Sequence, residues 1–260
     1  MRRSPNISAL TFALILLLVL PGMALAGKGK KQAAQSPAGD EQAARILEKS
    51  CKALTGFTGY SFKAAVTLDK VYQDGSKIQA GRTMSVSVKR PGAFSIVTEG
   101  DDFWATSAFD GKVFTLALPD RKVYGQIEAA MDTDALMDML ATRYGIESPL
   151  GDLLSNSPCT RLDSKSGFYV GKAKVDGVVC DHLFFLGKDV DWQLWIEDSP
   201  ASLPRKMVIT EKKQPSAPQF TAVLSDWKTD GAALQVSGFT APADFTRDDS
   251  VITGRKLGKK

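Results

Sequence analysis

The chain has a single histidine, His182, and only three cysteines, Cys51, Cys159 and Cys180, in 260 residues. One imidazole cannot build a histidine-based zinc site, and no carboxylates recur at ligand spacing. A Gly-rich phosphate loop, a G-x-S-x-G elbow and a C-x-x-C pair are all missing. These absences remove the usual frames for nucleotide, α/β-hydrolase and dithiol chemistry. Charge of one sign is also lacking. Setting aside Arg2 and Arg3 of an N-terminal targeting segment, the 33 basic residues fall to 31 against 29 acidic ones, too near balance for nucleic acid.

His182 lies beside Asp181 and two residues after Cys180. Alternation along a strand puts Cys180 and His182 on one face and Asp181 on the other, so the three do not converge. The expected role of His182 is a hydrogen-bonded structural one. Asp189, Asp191, Glu197 and Asp198 are the paired carboxylates a hydrolase would use, but they fall in and beside turns, where charge discourages sheet edges from associating. We expect no catalytic residue, no metal and no cofactor.

Long hydrophobic runs are confined to the N-terminus. Arg2 and Arg3 precede an apolar run, Ala9 to Leu20, and Ala24-Leu25-Ala26 supplies a small-residue cleavage site. The run is about 12 residues, short of the roughly 20 that span a bilayer. Residues 1–26 are therefore expected to be a signal peptide cleaved after Ala26, giving an exported, periplasmic chain of 234 residues. Residues 27–39 read as a disordered leader and 248–260 as a basic tail with a capacity for peripheral contact with anionic membrane surfaces. In an oxidising compartment three cysteines allow one disulfide. The expected pair is Cys159–Cys180, closing a loop of about 20 residues worth roughly 3 kcal/mol; Cys51 is expected to be buried and inert.

From Asp40, the expected N-cap, Ala44, Leu47, Cys51 and Leu54 recur at helical spacing up to Gly56. The period then changes to two. Tyr60, Phe62, Ala64, Val66 and Leu68 share a face, and Asp74-Gly75 marks a hairpin. Strands follow around Met84–Val88, Phe94–Ile96, Phe103–Ser107, Phe114–Leu118 and Lys122–Tyr124, with a second Asp-Gly turn at Asp110-Gly111. Ile127–Leu154 reads as two helical pieces broken near Pro149. It carries Met131, Met137 and Met139, which suit either core gap-filling or an adaptable lid. Strands resume at Phe168–Val175, Val178–Leu186, around Trp192–Ile196 and Met207–Ile209, Phe220–Trp227 and Ala233–Val236. Roughly ten or eleven short strands with helices at the start and middle predict one α+β domain over 40–247.

The stretch Cys180-Asp181-His182-Leu183, Asp191-Trp192-Gln193-Leu194-Trp195-Ile196, Leu203-Pro204-Arg205-Lys206 and Asp226-Trp227 resembles a family of predicted periplasmic bacterial proteins built on a domain of unknown function. Arg90-Pro91 followed by Phe94, and Phe109-Asp110-Gly111-Lys112, fit the same pattern, so the resemblance covers about residues 42 to 246. That family is grouped with the LolA/LolB-like lipoprotein-carrier superfamily. The resemblance implies a strongly curved antiparallel sheet, an incomplete β-barrel, with helices covering its concave face. It also implies an apolar ligand, a lipid or lipoprotein acyl chain, held between sheet and helices.

On that basis Phe62, Val66, Phe94, Ile96, Phe114, Leu116, Met137, Leu140, Leu194, Ile196 and Met207 are the expected cavity lining, under a lid formed by Ile127–Leu154. The same residues forming a dry core is the plainer alternative. A second expectation is an envelope interaction or stress-sensing module without bound lipid, meeting another envelope protein through Tyr60, Trp195 or Trp227.

Overall fold

The computed structural model describes residues 40–254 except 102, 160–166, 233, 235 and 237. The expected signal peptide and leader lie outside the described residues. Helix α1 (Glu41–Gly56) opens the fold, and the Asp40 side chain accepts from the Gln42 amide at 2.7 Å, as an N-cap should. Six strands follow: β1 (Gly59–Val71), β2 (Lys77–Lys89), β3 (Ala93–Gly100), β4 (Ala105–Phe109), β5 (Val113–Leu118) and β6 (Val123–Glu128). Helices α2 (Thr133–Tyr144) and α3 (Gly151–Leu154) interrupt the sheet. Strands β7 (Gly167–Val175), β8 (Val178–Leu186), β9 (Val190–Glu197), β10 (Pro204–Glu211) and β11 (Gln219–Lys228) complete a second meander. The short β12 (Thr246–Arg247) and α4 (Ser250–Thr253) end the described chain.

The strands of the described residues form one curved, unclosed sheet of 12 strands in the order β12-β6-β5-β4-β3-β2-β1-β11-β10-β9-β8-β7. Every pairing is antiparallel except β12 with β6. The first meander walks outward from β1. After the helices the chain re-enters at the far edge, β7, and walks back until β11 pairs with β1. Tight turns sit where the sequence demands them. Gly75 and Gly111 take φ of +82° and +92°, a region that costs glycine nothing.

Two expectations about the chain's course need correction. Residues 248–254 were expected to begin the basic tail, yet Ile252 is buried in the core and the Asp248 amide bonds the Tyr124 carbonyl at 2.7 Å. In place of a strand over Ala233–Val236, the last sheet partner is β12, and the described residues Leu234 and Val236 are outside any strand.

The cysteine pairing also differs. The disulfide joins Cys51 to Cys159, with Cα atoms 6.1 Å apart, and Cys180 is the free, buried cysteine. The expected Cys159–Cys180 pair fails because Cys180 lies within β8, opposite Glu197 of β9, while Cys159 packs with α1. Proximity along the sequence gave the wrong partner; the helix laid over the sheet supplied the right one.

Candidate functional site

The concave face of the sheet is set by strand alternation. Along β1, Tyr60, Phe62, Ala64 and Val66 are buried, and along β9 Leu194 and Ile196 are. Helix α1 has its apolar stripe, Ala43, Leu47 and Leu54, turned into the protein and makes its sheet contacts with β7 and β9. It is pinned at three places. The Asp40 amide donates to the Gly167 carbonyl at 2.7 Å, Lys49 Nζ donates to the Ser199 carbonyl at 2.9 Å, and Cys51 is bonded to Cys159.

The α2–α3 segment and the residues just after it are fastened to β1 and to the turn between β2 and β3. Tyr60 Oη donates to the Leu153 carbonyl, and Asn156 Nδ2 to that of Pro91 at 2.7 Å. Arg90 lies over the Tyr60 ring, 5.6 Å from its centroid, and Arg90 Nη2 donates to Tyr60 Oη at 3.3 Å. Burial pushes the Tyr60 hydroxyl above its ordinary pKa of 10, with the Arg90 charge opposing, so it stays protonated as a donor. The Arg90-Pro91 pair picked out in the sequence is thus the anchor for the helical cover.

Between these two covers and the sheet lies a half-enclosed cavity of 230 Å³. Its roof is Leu47, Ser50 and Leu54 of α1 with Leu150 and Leu153, and its floor includes Trp192, Leu194, Met207, Ile209 and Leu224 of β9–β11. Pro158 and Cys159 close one side, so the disulfide ties two walls of the cavity together. Apolar side chains dominate, and no Lys, Arg or His is part of the described lining.

From Ile209 an apolar row crosses the sheet by direct pairing, through Phe220 and Leu68 to Ala80. Ile78, two residues on along β2, is exposed, as are Tyr72, Phe103 and Trp104 in the connections at the same end of the sheet.

Of the eleven expected lining residues, Leu194 and Met207 border this cavity. Met137 borders a separate depression with Ile146 and Pro149, and both it and Leu116 are partly buried against the main core. Phe62, Val66, Phe94, Ile96, Phe114 and Leu140 are packed inside that core, and Ile196 lies in a second cluster with Ala43, Leu47 and Phe185. The expected lid, Ile127–Leu154, contributes Pro149, Leu150, Asp152 and Leu153, whereas Ile127 itself belongs to β6. The reading of the sequence missed α1 as a wall; its amphipathic spacing was the available signal.

Other singled-out residues have partners. His182 stacks on Trp195 at 3.9 Å and Nε2 meets Gln193 Oε1 at 2.9 Å. Burial holds its pKa below the ordinary 6.5, Lys206 adding to that effect and the Gln193 bond opposing it. Glu197 accepts from Arg205 Nε at 2.7 Å, Lys172 bridges Asp181 and Asp198 at 2.7 and 2.6 Å, and Lys212 pairs with Asp191 at 2.8 Å. Among the described residues there is no group of three or more metal-capable side chains.

The proposed aromatic anchors are not free either. Tyr60 is fully buried on the same face as Phe62, Trp227 stacks on Phe62 at 4.6 Å, and Trp195 lies between His182 and Lys206.

A profile of the family described as predicted periplasmic protein (DUF2092) matches residues 43–247. The chain belongs to this family. Comparison with curated proteins gives no match. Among solved structures, the DUF2092 chain is similar to the lipoprotein LppX of Mycobacterium tuberculosis, at 16% identity and a TM-score of 0.50, over 76% of this chain and 100% of that one. It also matches LprF of Mycobacterium bovis at 16% identity and a TM-score of 0.45, over 78% and 99% of the two chains. A LolA superfamily protein of Nitrosomonas europaea matches at 12% identity and a TM-score of 0.36, over 72% and 92%. At this identity the likeness to LppX shows that the DUF2092 chain shares its fold. No helix among the described residues is long and apolar enough to cross a membrane.

Proposed function

We propose that this protein is a periplasmic carrier, exported by cleavage after Ala26, that holds the acyl chain of a lipid or lipoprotein. The observation that carries the proposal is the 230 Å³ apolar cavity roofed by α1 and α3 and floored by β9–β11. The resemblance to the LolA/LolB-like superfamily supports the same reading, since it implies an acyl chain held between sheet and helices. Size narrows the guest. The cavity exceeds the roughly 150 Å³ void that accepts benzene, and falls below the roughly 300–1,000 Å³ of drug-sized pockets. One alkyl chain suits it better than two. Each buried methylene contributes about 0.8 kcal/mol, so eight would supply roughly 6 kcal/mol before the costs of association.

The chain enters from a membrane surface contacted peripherally by Tyr72, Ile78, Phe103 and Trp104, and passes over Leu68 and Phe220 to Ile209. Aromatic rings suit the interface between lipid and water. Native mass spectrometry of the purified protein, with uptake of a fluorescent fatty acyl ester, tests the proposal. Bound lipid or saturable uptake supports it; no lipid and no uptake ends it. The same exposed end favours a second role, contact with an envelope protein without lipid. That role predicts retention of a partner by lipid-free protein and no sedimentation with vesicles.

A further inference from the structure

Ser50 is out of place in the cavity roof. It lies three residues after Leu47 and four before Leu54, so all three share one helix face, and all three line the cavity. The residue is 1% exposed, yet Oγ makes no hydrogen bond with any described residue. A buried hydroxyl without a partner destabilises a fold, and alanine at the same position would remove that penalty. The other buried residues of α1 are Ala43, Leu47 and Leu54, so this hydroxyl stands alone on the inward face.

We propose that Ser50 is a specificity residue that donates a hydrogen bond to a neutral carbonyl oxygen of the bound chain, the ester or amide carbonyl of an acyl group. This rests on the carrier function proposed above and names its ligand class. Oγ itself is covered in the free protein, and contact with a group at the wall requires the hydroxyl to rotate about one bond to another staggered position, with no backbone shift. The partner is a neutral oxygen because the described lining offers no Lys, Arg or His as counter-ion to a carboxylate. An unpaired charge there would meet the full desolvation cost. A plain hydrocarbon would leave Oγ as unsatisfied as before. The site therefore ranks an acyl ester above both the alkane and the free fatty acid anion of equal length.

The test is displacement of Nile red by methyl decanoate, decane and sodium decanoate, on the wild-type chain and on Ser50→Ala. Wild type is expected to prefer the ester. In Ser50→Ala, affinity for methyl decanoate falls about two- to twelve-fold, the equivalent of one neutral hydrogen bond, while affinity for decane is unchanged. The variant's Tm rises by about 2–4 °C, because the penalty in the free protein is gone. Opposite signs in stability and ester affinity are what a merely structural serine would not give. Equal losses for ester and alkane, or no loss for either, overturn the assignment while leaving the carrier function intact. If none of the three compounds displaces the dye from wild type, the carrier function fails and this inference fails with it.

Discussion

The two meanders of the sheet have the same plan and different interiors. Over β1–β6 and α2 the concave face is filled. Phe94 packs against Phe109 and Phe114 with ring centroids 5.9 and 6.4 Å away, and Leu136 and Leu140 of α2 belong to the same buried set. Over β7–β11 and α1 the main inward side chains are Leu183, Phe185, Leu194, Ile196 and Met207, and the cavity lies between Met207, Leu194 and the helices. Ring volume makes the difference. Phenylalanines on three adjacent strands meet in the filled half, whereas in the second half the rings stop at β8 and β9, where Phe185 stacks on Trp192 at 3.9 Å and 4°, and β10 brings Met207 and Ile209 to the cavity. A curved sheet with helices on it is therefore not by itself a container; the side chains facing the helices decide that.

The sharpest way to break this contrast is to cut the disulfide, which fastens only the hollow half. Reduction, or the Cys51→Ala/Cys159→Ala double variant, is expected to cost about 4.7 kcal/mol in the chain-entropy account of so long a loop. Urea unfolding measures the loss, and accelerated release of a bound acyl probe shows that the roof has loosened. In the filled half, Phe94→Ala is expected to cost about 3–5 kcal/mol and to leave ester affinity as it was. A loss of affinity there would mean that the cavity extends under α2. Smaller still is the effect of filling the hollow: Met207→Phe should weaken ester binding about tenfold, or roughly 1.4 kcal/mol, with little change in urea midpoint.

The least effect comes from pH. His182 is on β8, next to the edge strand of the second meander, and its pKa lies below 6.5 because it is half-buried. As pH falls, the unfolded imidazole takes its proton first, so stability is complete above pH 6.5 and declines as pH falls through that value towards the folded pKa. The urea midpoint of wild type should therefore fall between pH 7 and pH 5 more than that of His182→Asn. Equal slopes would show that the Trp195 stack and the Gln193 bond do not distinguish the two protonation states.

Much of this architecture was legible in the sequence, because the signals are local. Asp40 caps α1 because its side chain reaches an amide two residues on, and Asp110 holds its turn by accepting from the Lys112 and Val113 amides at 2.9 and 2.8 Å. Strand alternation put Phe62, Phe94 and Leu194 at positions that are buried, with Met207 paired to Leu194. It was silent on which same-face residues would border empty space, since that depends on where a helix rests and not on the parity of a strand. Tyr60 shows the same limit in reverse: its parity with Phe62 was plain, and its role as a buried donor to Leu153 required the helical segment to be seated.

The sequence by itself determined most of the elements and turns up to β11, the greasy face of the sheet and the family. Helical and strand periods are properties of neighbouring residues, and they survive in one dimension. Only the tertiary structure decided that Cys51 meets Cys159, that β11 returns to β1, and that the two covers leave a cavity beside Ser50. Each of those is a contact between residues far apart in the chain, fixed by how side-chain volumes fill the space under a curved sheet.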